Sequence, residues 1–346
     1  MKYGAIDAHR SYSQVCILDK STGVLEDFRI ASTPEAMWDM AGVFGDCDRV
    51  ALEASSHWGW MVDELQEMGL DVVLSHPTKT KAIGAAKIKT DKIDARMLAY
   101  LLSSDLLPEA HIASPEVREL RGFLRYRLVL VKMRTMAKNR VHSVLAGYGL
   151  MPPCSDLFCK KGRRWLSEQR LGELAAHQVE GYLTLIDHIS SLVASVDERI
   201  KPMAQMNNEA QLLTTIPGIG HYGALLIAAE IDGVERFGSA KQLVSYAGLC
   251  PTTRSSGGKD RHGHITRCGS RFLRWILVEA AQKAVFPHSI LHPFYWSVAR
   301  RKGSGTAKVA TARKLLESIY QMLRKHEGFH PDAWTKPSRG VASGEA

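Results

Sequence analysis

The spacing of apolar residues changes near Ser114, and that change limits the architectures open to the chain. From residue 3 to about 76 the apolar residues fall in short, partly alternating runs: YGAID, SQVCILD, VLEDFRI, RVALE and DVVLS. Period-two alternation predicts strands. Thr33 followed by Pro34 marks a helix start, continuing to about Val43, and a second helix spans roughly His57 to Met68 before Gly69. The resulting β-β-β-α-β-α-β order, opening with three antiparallel strands, predicts a mixed sheet with helices packed on it.

Beyond Ser114 the period becomes helical. One long, basic, amphipathic helix is expected from Pro115 to about Tyr148 and another from about Leu171 to Met206. They form an antiparallel hairpin or coiled coil whose stripe of Leu183, Ile186, Ile189, Leu192 and Val193 packs either within the chain or against a second copy. From about residue 208 the pattern stays helical with Gly-rich interruptions; Ser239 with Gln242 caps one helix and Ser270 caps FLRWILVEAAQKA. The expected domains are 1–110, 111–206 and 207–335, followed by a disordered tail over 336–346.

The formal charge is +9, from 45 Lys and Arg against 36 Asp and Glu. That surplus suits a polyanionic partner, although ordinary solubility charge accounts for it as well. Asp7 and Arg10 interrupt the first apolar residues, no run reaches membrane length, and a cytoplasmic, nucleoid-associated protein with no membrane partner is expected. The six cysteines contain no CxxC pair and read as reduced thiols; Cys154 and Cys159 lack the second pair that a zinc site needs.

Four acids carry the clearest chemical signal. Asp7 and Glu53 each close a strand, and neighbouring strand ends in an open sheet are where such folds place their chemistry. Asp91 and Asp94, three apart at a helix start, project from one helical face. Each acid alone reads as a turn former, a solvated strand end or a helix N-terminal charge. Together, four converging carboxylates resist ionisation unless a hard cation such as Mg²⁺ or Mn²⁺ joins them. Such ions serve phosphoryl transfer.

Two further segments bear on nucleic acid. In TIPGIGHYGALLIAAEI a helix-turn-helix with Gly218 and Gly220 at the turn resembles a helix-hairpin-helix element, whose backbone N–H groups hold a phosphate; a plain interhelical turn is the alternative. In PTTRSSGGKDRHGHITRCGSRFLRW, Ser255, Ser256, Gly257 and Gly258 read as a flexible loop among Arg254, Lys259, Arg261, Arg267, Arg271 and Arg274, cations suited to phosphate. Read on its own, that segment is a Ser/Gly linker with solvating charges. Lys87 and Lys89, just before the Asp pair, are further expected contacts.

AIDAHR, ALEASSHWGW, KTDKIDARMLA, TIPGIG, YAGLCP and SSGGK form an ordered set spread over nearly the whole chain. In this set the sequence resembles the DEDD transposases of bacterial insertion sequences that move with a structured non-coding bridge RNA. The resemblance implies an α/β RNase H-like (RuvC-like) N-terminal domain with its acids at Asp7, Glu53, Asp91 and Asp94, a helical coiled-coil linker, and a mainly α C-terminal domain. It further implies a nucleophilic serine at Ser256, with Ser255 adjacent, that becomes covalently joined to DNA. The implied partners are donor and target DNA, a bridge RNA, and a second copy in a dimer or tetramer. A metal-dependent junction-resolving endonuclease that uses water, and a non-catalytic nucleic-acid-binding scaffold, are the competing readings.

Overall fold

In the computed structural model, β1 (Lys2–Ala8), β2 (Tyr12–Asp19) and β3 (Leu25–Ala31) form an antiparallel meander. Helices α1 (Pro34–Asp39) and α2 (Ala41–Gly45) lead to β4 (Arg49–Glu53), α3 (Trp58–Glu67) to β5 (Val72–Ser75). β4 pairs parallel to both β1 and β5, giving the sheet order β3-β2-β1-β4-β5. The structure describes residues 1–55, 57–83, 90–256 and 259–331, with only the backbone across 254–262. The order of elements is the expected one, and a mixed sheet with helices is consistent with an RNase H-like domain. The helix expected from Thr33 to Val43 is interrupted at Met40, although Thr33 does cap it, accepting from the Ala36 N–H.

Both faces of the sheet are covered, and the alternation of strand residues decides which side chain goes where. Ile6, Val15, Ile17, Val50, Leu52 and Leu74 pack with Met37, Phe44, Met61, Val62 and Leu65 of α1 to α3. Tyr3, Ala5, Cys16, Leu18, Ala51 and Val73 face the other way. After α4 (Pro77–Ile83), helix α5 (Asp91–Ser103) covers that second face with Ala95, Leu98, Ala99 and Leu102. Each such fully buried Leu contributes roughly 1.5–3 kcal/mol. Polar contacts fix α5 at both ends: Arg96 and Lys92 pair with the buried carboxylate of Asp27 on β3, and Lys20 donates to the Ser103 carbonyl at 2.6 Å. Thr90 caps its first turn, accepting from the Ile93 N–H.

The chain divides into two compact units, Met1–Glu116 and Val117–Ala346. The second opens with α6 (Pro115–Gly147), followed by α7 (Lys160–Ser167) and α8 (Glu173–Met206). α6 and α8 run antiparallel: Arg127 pairs with Asp197 and Arg134 donates to Ser190, while Val141, Leu145, Val179 and Ile186 share a core with α7. Ile186, Ile189 and Val193 are buried, so the α8 stripe packs within the chain. Leu124 and Leu130 of α6 join a larger core built from α9 (Asn208–Thr214), α10 (His221–Ile231), α11 (Ala240–Tyr246), α12 (Arg271–Gln282) and α13 (His292–Lys325). Among the described residues no helix is long and apolar enough to cross a membrane.

One expectation is corrected. The segment around Ser255 and Ser256 is not a structureless loop: β6 (Pro251–Ser256) and β7 (Lys259–Ile265) form an antiparallel hairpin, with Ser255 opposite Asp260 and Ser256 opposite Lys259. The dense charges of the second strand hide its period-two pattern, whereas two adjacent glycines between the strands are in themselves a hairpin signal. Gly257 and Gly258, Lys87 and Lys89, and the tail over 336–346 lie outside the described residues.

Candidate metal centre

The parity of β1 and β4 sets the acids in place. Asp7 follows Tyr3 and Ala5 at intervals of two, and Glu53 follows Ala51, so both stand on the α5 face. The parallel pairing of Ile6 with Leu52 sets the two acids side by side at the carboxyl ends of adjacent strands. Asp91 and Asp94 come from the first turn of α5. Glu53 and Asp94 line one small cavity with Thr80, Met97 and Leu98. Asp7 and Glu53 thus stand at adjacent strand ends, and Glu53 and Asp94 face one cavity.

Asp7 is buried, and its carboxyl is pushed up to about 6. Burial is the largest cause; His9 opposes it, while Glu53, Asp91 and Asp94 push in the same direction as burial. All three other acids thus act electrostatically on Asp7. On the far side of Asp91, the Tyr12 hydroxyl donates to Oδ2 at 2.7 Å, and this bond is the main cause holding the Asp91 carboxyl below its ordinary value. Arg29 stacks 4.6 Å over the Tyr12 ring, with a guanidinium nitrogen 3.9 Å from the same Oδ2.

Sequence reasoning missed His9, Tyr12 and Arg29. His9 was visible only as part of AIDAHR, one residue past the end of β1. Its Nε2 lies 3.3 Å from Asp7 Oδ2 and 3.3 Å from Asp91 Oδ1 and is shielded from solvent. One ligand atom each from Asp7, His9 and Asp91 lie within 4.8 Å of one another. A crowded carboxylate group around a shared imidazole nitrogen fits a divalent cation, which supplies positive charge where the acids meet and can take the nitrogen as a ligand. Among the described residues no such group includes Cys154 or Cys159.

The remaining candidate residues belong to the second unit. Ser256 is the last residue of β6. Arg267 is exposed at φ +56°, Arg271 lies 4.8 Å over the Phe272 ring, and Arg274 donates to the Ala247 carbonyl at 2.9 Å. Burial, followed by the charge of Arg267, holds the Arg274 guanidinium below its usual value. Between α9 and α10, Gly218 adopts φ +95° and Gly220 occupies the N-cap of α10. Residues 218–223 border a cavity of about 380 Å³ that Lys283 also lines. This is the turn-then-helix arrangement that the PGIG segment predicts.

Comparison with known proteins agrees across both units. An IS110-type DEDD transposase model matches residues 5–150, and a model described as "Transposase IS116/IS110/IS902 family" matches residues 210–295. The transposase for insertion sequence element IS1111A of Coxiella burnetii is 25% identical, over 95% of this chain and 91% of that protein. A probable family 20 transposase of Pseudomonas aeruginosa is 24% identical over 82% and 86%. The transposase for insertion sequence element IS1328 of Yersinia enterocolitica is 27% identical over 67% and 70%. The family and the Asp-His-Asp group together suggest a divalent metal site, and with the DEDD model over the acids and the second model over the PGIG and serine segments, the chain belongs to the IS110 family of insertion-sequence DEDD transposases.

Proposed function

We propose that this transposase cleaves and rejoins DNA through a composite site, in which Asp7, Glu53, Asp91 and Asp94 hold Mg²⁺ or Mn²⁺ and Ser256 is the nucleophile. Family membership carries DNA binding and DNA-cleaving recombination. The observation that carries the metal half is geometric: Asp7 and Glu53 end adjacent strands, Glu53 and Asp94 line one cavity, and ligand atoms of Asp7, His9 and Asp91 lie within 4.8 Å of one another. When bound, divalent ions polarise the scissile phosphate and stabilise the leaving 3′ oxygen. The carboxylates fix where that phosphate sits relative to the sheet edge.

Attack by the Ser256 hydroxyl oxygen on phosphorus forms a serine phosphodiester. The 3′ oxygen departs and takes up a proton, while the serine proton passes to solvent. Attack by a new 3′ hydroxyl on the phosphoserine reverses the exchange and restores both a DNA phosphodiester and the serine, so no external energy source is needed. Arg254, Lys259, Arg261, Arg267 and Arg271 supply positive charge for the DNA phosphates, and Arg274 supports the hairpin base. Gly218 and Gly220 present backbone N–H groups to a phosphate, and Lys87 and Lys89, which precede Asp91 in the sequence, add positive charge for the nucleic acid. Acids and serine belong to different units, a division suited to assembly of the site in a dimer or tetramer through the α6–α8 hairpin. A structured bridge RNA, following the family resemblance, selects donor and target.

The test is covalent trapping with Mg²⁺ and a DNA substrate carrying the element's junction. Wild type is expected to form a protein–DNA adduct that Ser256→Ala and Asp7→Asn both abolish. Cleavage without any adduct in wild type would replace this mechanism with water-dependent endonuclease chemistry.

A further inference from the structure

We propose that His9 is itself a metal ligand, completing an Asp7–His9–Asp91 set, and that it tilts the centre toward Mn²⁺ and Co²⁺ over Mg²⁺. The inference rests on the metal-binding reading of the acids and adds a nitrogen ligand to it.

The geometry around Nε2 carries the argument. The nitrogen stands 3.3 Å from Asp7 Oδ2 and 3.3 Å from Asp91 Oδ1, shared between the two carboxylates. A single ring N–H could serve only one of these oxygens. Adjacent ligand atoms around an ion with bonds of about 2.1 Å are separated by roughly 3.0–3.4 Å, the edge of an octahedron or tetrahedron. The two nitrogen-to-oxygen spacings lie within that range.

The surroundings leave one oxygen of Asp91 for the ion. Tyr12 and Arg29 both address Oδ2, whereas Oδ1 is turned to His9. Such an outer hydrogen bond to a ligating carboxylate orients it. The tilted packing of the His9 ring on Tyr12, with centroids 5.0 Å apart, restricts the imidazole in the same way. Glu53 and Asp94 line the neighbouring cavity, where they remain to serve a second ion or the inner ligand shell from the other side. The chemical consequence is selectivity: an imidazole nitrogen strengthens binding of Mn²⁺ and more so of Co²⁺, while Mg²⁺ gains least from it.

The full chain loaded with Mn²⁺ provides the test, read by pulsed electron paramagnetic resonance. Wild type is expected to show ¹⁴N coupling from a directly bound nitrogen, lost in His9→Ala while Mn²⁺ still binds. The Mg²⁺ concentration that displaces half of the Mn²⁺ should fall about tenfold in that variant. His9→Asn, which retains a polar side chain, gives the same readout if His9→Ala does not fold. Absence of ¹⁴N coupling in wild type, or its persistence in both variants, overturns the assignment. An unchanged Mn²⁺ stoichiometry in Asp7→Asn instead removes the acidic metal centre and the proposal with it.

Discussion

Glu230 and Ser270 are joined by a 2.8 Å hydrogen bond from the serine hydroxyl to Oε2, and the same hydroxyl oxygen accepts the Leu273 N–H as the N-cap of α12. Glu230 is almost wholly buried on α10, and its other oxygen receives two N–H groups of Arg125 from α6. The start of α12, which follows directly on the β6–β7 hairpin, is thus tied through one carboxylate to two other helices. Removing Arg125 leaves that buried carboxylate without its countercharge. Arg125→Met is expected to lower stability by about 3 kcal/mol, and Ser270→Ala by about 1–2 kcal/mol through the lost cap and bond. Urea unfolding followed by circular dichroism measures both; equal, negligible shifts would show that the hub is not under load.

The base of the hairpin depends on a close backbone crossing. Gly269 adopts φ +93°, and a Cβ there would come 2.0 Å from the Tyr246 carbonyl oxygen, a rigid neighbour. At Gly218 the φ is +95° but the nearest atom is the side-chain Cγ of Lys283 at 3.0 Å, which can move aside. Gly269→Ala should therefore cost about 2–4 kcal/mol, and Gly218→Ala about 1–2 kcal/mol. Thermal melts of the two variants side by side test this order, and a reversed order would contradict it.

The difference between these glycines was not readable from sequence, since it lies in what approaches them from distant segments. By contrast, the ends of α6, the caps at Thr33, Ser239 and Ser270, and the succession of strands and helices in the first unit follow from local chemistry, and the sequence carries them. So does the convergence of Asp7 and Glu53, because period-two alternation on adjacent parallel strands leaves them little choice of face. The β6–β7 hairpin escaped because the run of charged residues Lys259, Asp260, Arg261 and His262 carries no apolar alternation. His9 and Tyr12 escaped for another reason. Their role depends on the turn between β1 and β2 bringing them to Asp91, 79 residues beyond Tyr12, and no local pattern encodes that meeting.

That meeting has a measurable weight. Tyr12→Phe keeps the ring beneath Arg29 but removes the hydroxyl that orients Asp91. Loss of such an outer-shell bond typically weakens metal affinity about tenfold or more. Calorimetric titration with Mn²⁺ should show that loss in Tyr12→Phe with little change in thermal stability without metal. An unchanged affinity would mean that Asp91 is held without Tyr12.

The clamp on α5 gives a pH dependence whose sign is fixed. Asp27 is held below its ordinary value of 3.8, first by hydrogen bonds from Arg96 and then, against the cost of burial, by Lys92 and the charges of both. A carboxyl depressed on folding contributes stability that is complete above its unfolded pKa and lost as pH falls through the folded one. Urea midpoints of the first unit should accordingly hold steady above pH 3.8 with respect to this group and decline below it. In Arg96→Met most of that decline should vanish, because the unfolded and folded values of Asp27 are brought together, while stability at neutral pH drops. A decline of the same size in both proteins would assign the acid sensitivity to other carboxylates and leave α5 held by its apolar face.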